Sequence, residues 1–148
     1  MQQHNKTHKP AIKPVLLTAL LFMLLGTALE LYLLDHFEDT LQLIPLLCIG
    51  ILIALISISF FHKTKQVLRF IKVTLVLTAL SGLYGIFLHL RANYEFELEM
   101  KPTANSWDLI IESMSGALPA LAPSSMIVLA LIGYSYIILL KKQHYDKI

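Results

Sequence analysis

At 148 residues, 56% of them hydrophobic and with a formal charge of only +2, the chain is one small domain whose length goes mostly into apolar runs. About 20 apolar residues cross a hydrocarbon core of roughly 30 Å, so several such runs leave too little chain for a separate soluble domain. The basic residues flank the runs instead of forming a patch with interleaved aromatics, which excludes nucleic-acid binding, and the single cysteine, Cys48, excludes an intramolecular disulfide and a cysteine-built zinc site.

Charge alternates between the connections. Ten of the twelve Lys and Arg residues lie in the N-terminal tail (Lys6, Lys9, Lys13), the middle loop (Lys63, Lys65, Arg69, Lys72) and the C-terminal tail (Lys141, Lys142, Lys147). The two other connections, with the segment ends beside them, hold Arg91, Lys101 and nine of the ten carboxylates. The positive-inside rule reads this pattern as four spans with both termini in the cytoplasm.

The first span covers about residues 14–34, with Pro14 in a first turn where its missing N–H costs nothing. A cleaved signal peptide is the rival reading, since Gly26 and Ala28 are small, but the apolar run continues through Leu34 to a full span. Asp35-His36-Phe37-Glu38-Asp39 then makes a tight outer turn, so the second span, about 41–61, is antiparallel to the first. Pro45 falls in its opening turns. The basic middle loop starts a third span over about 73–90, in which Ser81, Gly82 and Gly85 invite close approach by another helix.

Between His89 and Trp107 lies the longest connection. Tyr94 to Met100 alternates strictly between apolar residues and glutamates, which predicts an extended segment with Tyr94, Phe96, Leu98 and Met100 on one side. Asp108 to Gly116 reads as a short amphipathic helix at the outer interface, anchored by Trp107. Pro119 and Pro123 divide it from a last span, 124–140, although a single kinked helix is the alternative.

The polar residues that invite a functional reading all fall near the outer face. Glu30 sits inside the first span, where a carboxylate must snorkel, pair or face a hydrated pocket. Arg91 is a natural partner for Glu30, Glu112 or the turn carboxylates. His36 and His89 share that side, but no HExxH, paired His-x3-His or helical ExxH accompanies them, so no metal or haem site is assigned. The serines around the proline bend lack a GxSxG and a histidine in a neighbouring inner span, so no catalytic residue is assigned either.

The expected fold is therefore an all-α membrane protein. It is a four-helix transmembrane bundle forming one domain over 1–148, with a short extended segment and an interfacial helix (cap 91–118) over its outer face. The expected function is a non-catalytic accessory or assembly subunit without a cofactor, in a bacterial inner membrane. It would present a polar cluster of Glu30, Asp35, His36, His89, Arg91, Glu95 and Glu112 beside the contact residues Tyr94, Phe96, Leu98 and Met100. Its expected partners are the lipid bilayer and a protein partner or second copy. A small-solute or cation transporter using Glu30 and His89 is the alternative, followed by a membrane enzyme acting at the outer interface.

Overall fold

A computed structural model describes residues 12–62 and 64–145 as five α-helices and their connections. Lys6, Lys9, Lys63 and Lys147, with the side chains of Lys141 and Lys142, lie outside what is described. Helices α1 (Ile12–Leu33) and α2 (Thr40–Phe61) have 22 residues each, α3 (Lys65–Met100) has 36, α4 (Ser106–Met114) has 9 and α5 (Ser124–Tyr145) has 22. The first three are long and apolar enough to cross a membrane, and the apolar part of α5, Ser124–Leu140, is shorter. Residues 107–140 thus form two helices rather than one kinked helix, with Pro119 and Pro123 in the break.

The α1–α2 turn closes through its own backbone. Asp35 takes a left-handed conformation (φ 51°), which lets the His36 N–H reach the Leu31 carbonyl at 2.9 Å and the Asp35 N–H reach Tyr32 at 3.1 Å. This is a Schellman ending, and it satisfies carbonyls that the last helical turn leaves free. Asp39 then caps α2: its Oδ1 accepts from the Thr40 N–H at 2.6 Å, while Gln42 Oε1 accepts from the N–H groups of Glu38 and Asp39. With both helix ends satisfied in so few residues, α1 and α2 are held antiparallel.

The extended segment expected over Tyr94–Met100 is helical. It continues α3, and no strand occurs among the described residues. An isolated strand has no neighbour for its backbone donors and acceptors, whereas a helix satisfies its own. Glutamate, leucine and methionine are also good helix formers, and α3 is already running. Period-two spacing is compatible with this outcome, because Tyr94/Leu98 and Phe96/Met100 are also i,i+4 pairs. The long connection shrinks to Lys101–Asn105, and α4 turns back against the end of α3.

Packing centres on one face of α3. Ile71, Leu75, Thr78, Gly82, Gly85, His89 and Asn93 recur at heptad-like spacing and form a seam along the helix. Gly82 and Gly85 seat Pro123 at the start of α5: a Cβ on Gly82 would stand 2.8 Å from the Pro123 carbonyl oxygen. Further along, Gly133 of α5 admits Leu75, and Lys72 Nζ stands 5.6 Å over the Tyr134 ring. These contacts make α3 and α5 antiparallel. α1 packs on α5, α2 packs on α3, and α1 meets α2 more thinly. Leu20, Leu24, Ile49, Leu52, Ile56, Leu75, Leu129 and Ile137 fill the core between them. Several buried hydroxyls bond within their own helix, as Thr78 Oγ1 does by donating to the Thr74 carbonyl at 2.8 Å.

Charge is segregated by this topology. Every carboxylate of the described residues lies toward the end where α1 meets α2 and α3 meets α4, with Arg91 and Lys101. Lys13, Lys65, Arg69 and Lys72 lie toward the opposite end.

The seam predicts a contrast between glycines. Gly82→Ala is expected to destabilise the protein by about 1–3 kcal/mol, because the Pro123 backbone must move. Gly50→Ala, on an exposed face of α2 with open space around it, is expected to be neutral or to stabilise by about 0.5–1 kcal/mol. Reversible unfolding in detergent micelles measures both.

Candidate functional site

The acidic end is organised by Asn93, a side chain only 2% exposed. Its Nδ2 donates to the Ser113 carbonyl at 2.9 Å and to the Leu118 carbonyl at 2.7 Å, while its Oδ1 accepts from the Leu118 N–H at 2.9 Å. The carboxamide therefore pairs with both the N–H and the carbonyl of Leu118, much as a neighbouring strand would. It also caps a carbonyl in the last turn of α4, where helical partners run out. Gly116 makes the approach possible, since a Cβ there would stand 2.5 Å from Asn93 Cγ.

One helical turn earlier, His89 Nδ1 lies 3.1 Å from the Pro119 carbonyl. A carbonyl only accepts, so this bond places a proton on Nδ1 and turns Nε2 away from the contact. Asn93 and His89 together tie the middle of the 115–123 segment, Leu118 and Pro119, to α3. His36, half-buried in the α1–α2 turn, lies close enough to feel the charge of His89. Burial first, and that charge second, hold its imidazole below the ordinary range. The two histidines expected on one side are thus near each other. Among the described residues, however, no three His, Cys, Asp or Glu side chains gather closely enough to hold a metal ion.

The remaining members of the expected cluster divide into separate pairs. Arg91 Nε donates to Glu95 Oε1 at 2.7 Å, within its own helix, and reaches neither Glu30 nor Glu112. Lys101 takes Glu112 instead: Nζ lies 2.7 Å from Glu112 Oε2 and 3.4 Å from Glu97 Oε2. The Glu112 hydrogen bond raises the Lys101 ammonium above its usual range. Both pairs are solvent-exposed and contribute little stability; of the two, only Lys101–Glu112 reaches α4, and it steers that helix more than it stabilises it. Glu30 is exposed on α1, one turn short of its end, while Asp35 serves the turn backbone. Neither forms a hydrogen bond or ion pair through its side chain among the described residues.

Of the expected contact residues, Phe96, Leu98 and Met100 are exposed and Tyr94 is half-buried. A helix scatters them: Phe96 and Met100 flank one side of the face that meets α4, and Tyr94 and Leu98 flank the other. The more coherent apolar surface belongs to α4. Leu109 and Ser113 are buried, while Trp107, Ile110, Ile111 and Met114 are exposed at i, i+3, i+4 and i+7 on the opposite face.

Sequence reasoning missed Asn93, Lys101 and Gly116. The heptad stripe ending at His89 and Asn93 was the available signal, hidden once residues past Leu90 are treated as a loop. No known protein family, curated protein or solved structure matches the chain.

Two outcomes follow from this geometry. Asn93→Ala leaves Leu118 N–H and the Ser113 carbonyl without partners and is expected to cost about 2–4 kcal/mol. Hydrogen exchange at residues 113–119 should accelerate well before exchange in the core helices. For His36, a folded-state value below the free one means that the unfolded chain binds the proton more readily. Stability should therefore fall as pH drops through about 6.5, and level off below the folded-state value. His36→Gln should remove this dependence and leave stability above pH about 7.5 unchanged, as measured by unfolding midpoints across pH.

Proposed function

We propose that the chain is a four-span, non-catalytic membrane protein whose acidic end docks a protein partner. In this reading α1, α2, α3 and the apolar part of α5 all cross the bilayer. At 1.5 Å per residue, Ser124–Leu140 covers about 26 Å, close to the thickness of a hydrocarbon core. The segregated charges support an orientation with the basic end and both termini in the cytoplasm, as in a bacterial inner membrane. α3, at about 54 Å, then continues past the membrane and carries α4 with it as a helical hairpin.

The observation that carries the reading is the double-sided character of α4. Its inner face is already buried against α3, and its outer face offers Trp107, Ile110, Ile111 and Met114 in a row. A four-residue apolar stripe on a helix supported from behind suits insertion into a partner's groove, with Trp107 as an anchor. Phe96 and Met100 extend the same hairpin on one side. The transport alternative has less support, because Glu30 and His89 do not share a site: one is exposed on α1 and the other is engaged with Pro119.

A photoreactive side chain at Ile111, activated in native membranes, tests this. The expected result is one protein adduct of defined mass that falls at least about tenfold when Trp107→Asp and Met114→Asp are added. Adducts with lipid alone, or with a second copy of the chain, would contradict an accessory subunit.

A further inference from the structure

The basic end carries a second surface, on α3. Lys65, Arg69 and Lys72 stand at i, i+4 and i+7, so they fall within about 60° of one another on the helix. Val76, Leu80, Leu83 and Phe87 continue the same face, and all four are exposed. One side of α3 thus reads as a cationic foot below an uninterrupted apolar track. From Lys72 to Leu83 the track rises about 16 Å, the depth of one bilayer leaflet.

Among the described residues, no carboxylate pairs with Lys65 or Arg69. Every carboxylate of those residues lies toward the other end. Lys72 is drawn toward α5, where its ammonium stands over the Tyr134 ring at 5.6 Å. That contact tilts the upper end of the stripe toward the α3–α5 boundary. In the membrane reading, this exposed face sets cations at headgroup depth below apolar side chains at acyl-chain depth.

We infer that this face of α3 is a binding site for a single anionic phospholipid, its phosphodiester on Lys65 and Arg69 and an acyl chain along Val76, Leu80 and Leu83. The inference rests on the membrane reading above and is independent of the partner proposed for α4. Zwitterionic lipid offers the same acyl chains, but its own ammonium opposes the cationic foot. Basic positions flanking membrane helices on the cytoplasmic side favour anionic headgroups for this reason.

The full chain, purified in mild detergent, is offered equal amounts of dioleoylphosphatidylglycerol and dioleoylphosphatidylcholine, and bound lipid is counted by native mass spectrometry. The expected preference for phosphatidylglycerol is about tenfold. It should fall to near parity in K65Q/R69Q and survive in the charge-keeping K65R/R69K. Should the double variant fail to fold, K65Q and R69Q alone are read the same way, each losing about half of the preference on a logarithmic scale. Inorganic phosphate alone should leave the unfolding midpoint unmoved. Parity in the unmodified protein, an undiminished preference in the neutralised variants, or stabilisation by phosphate equal to that by lipid would each overturn the site. Failure of the membrane reading would show separately, as a chain that stays soluble without detergent.

Discussion

The close seam between α3 and the chain that returns along it is the constraint on which the rest of the structure depends. A helix of 36 residues has no reason of its own to be placed accurately. It is placed because Gly82 and Gly85 let Pro123 sit against its backbone, and Gly133 lets Leu75 enter α5. Above the glycines, His89 and Asn93 hold the 115–123 segment by hydrogen bonds rather than by packing. The change from glycine to polar contact suits a seam that passes from an apolar to a hydrated setting, because lipid rewards close packing while exposed backbone needs fixed partners. α5 starts where it does because the segment before it is tied to α3 at Leu118, Pro119 and Pro123.

Charge segregation follows from this antiparallel order rather than from any ion-pair network. The described salt bridges, Arg91–Glu95 and Lys101 with Glu97 and Glu112, are exposed but for the half-buried Glu97, and all belong to the α3–α4 hairpin. They steer a local hairpin and contribute little to holding the long helices together. The two ends of the molecule therefore face their surroundings with different chemistry. One presents acidic residues beside the apolar outer face of α4, and the other presents cations with no described carboxylate near them. The protein partner proposed for the first and the anionic lipid proposed for the second answer those two surfaces.

Much of the helical layout was legible from apolar run length, which is why the 14–34 and 41–61 expectations fall within two residues of α1 and α2. Asp39 and Gln42 carry a capping box at the start of α2, a signal that run length alone does not use. Tyr94 to Met100 misled because alternation is a pattern of side chains, whereas the choice between strand and helix was settled by backbone hydrogen bonding. With no second strand to pair with, Glu95 and Glu97 served better as i,i+4 partners for Arg91 and Lys101. The polar cluster was legible as a neighbourhood and not as a set of contacts. Its residues do lie toward one end, but pairing depended on helix phase, and phase placed Arg91 on Glu95 and left Glu112 to Lys101. Asn93 escaped notice because a lone asparagine gives no sign of burial until the segment it clasps is known.

The central claim is that the two chemically distinct ends of the helices lie on opposite sides of a membrane, and labelling of introduced cysteines tests it most directly. Thr103→Cys in the α3–α4 connection and Thr64→Cys at the cap of α3 would each be probed with a membrane-impermeant maleimide on intact cells, Cys48 being buried. The account predicts that Thr103→Cys is labelled at once and Thr64→Cys only after the membrane is opened. Labelling of both positions from one side, or of Thr64→Cys alone from outside, would contradict it.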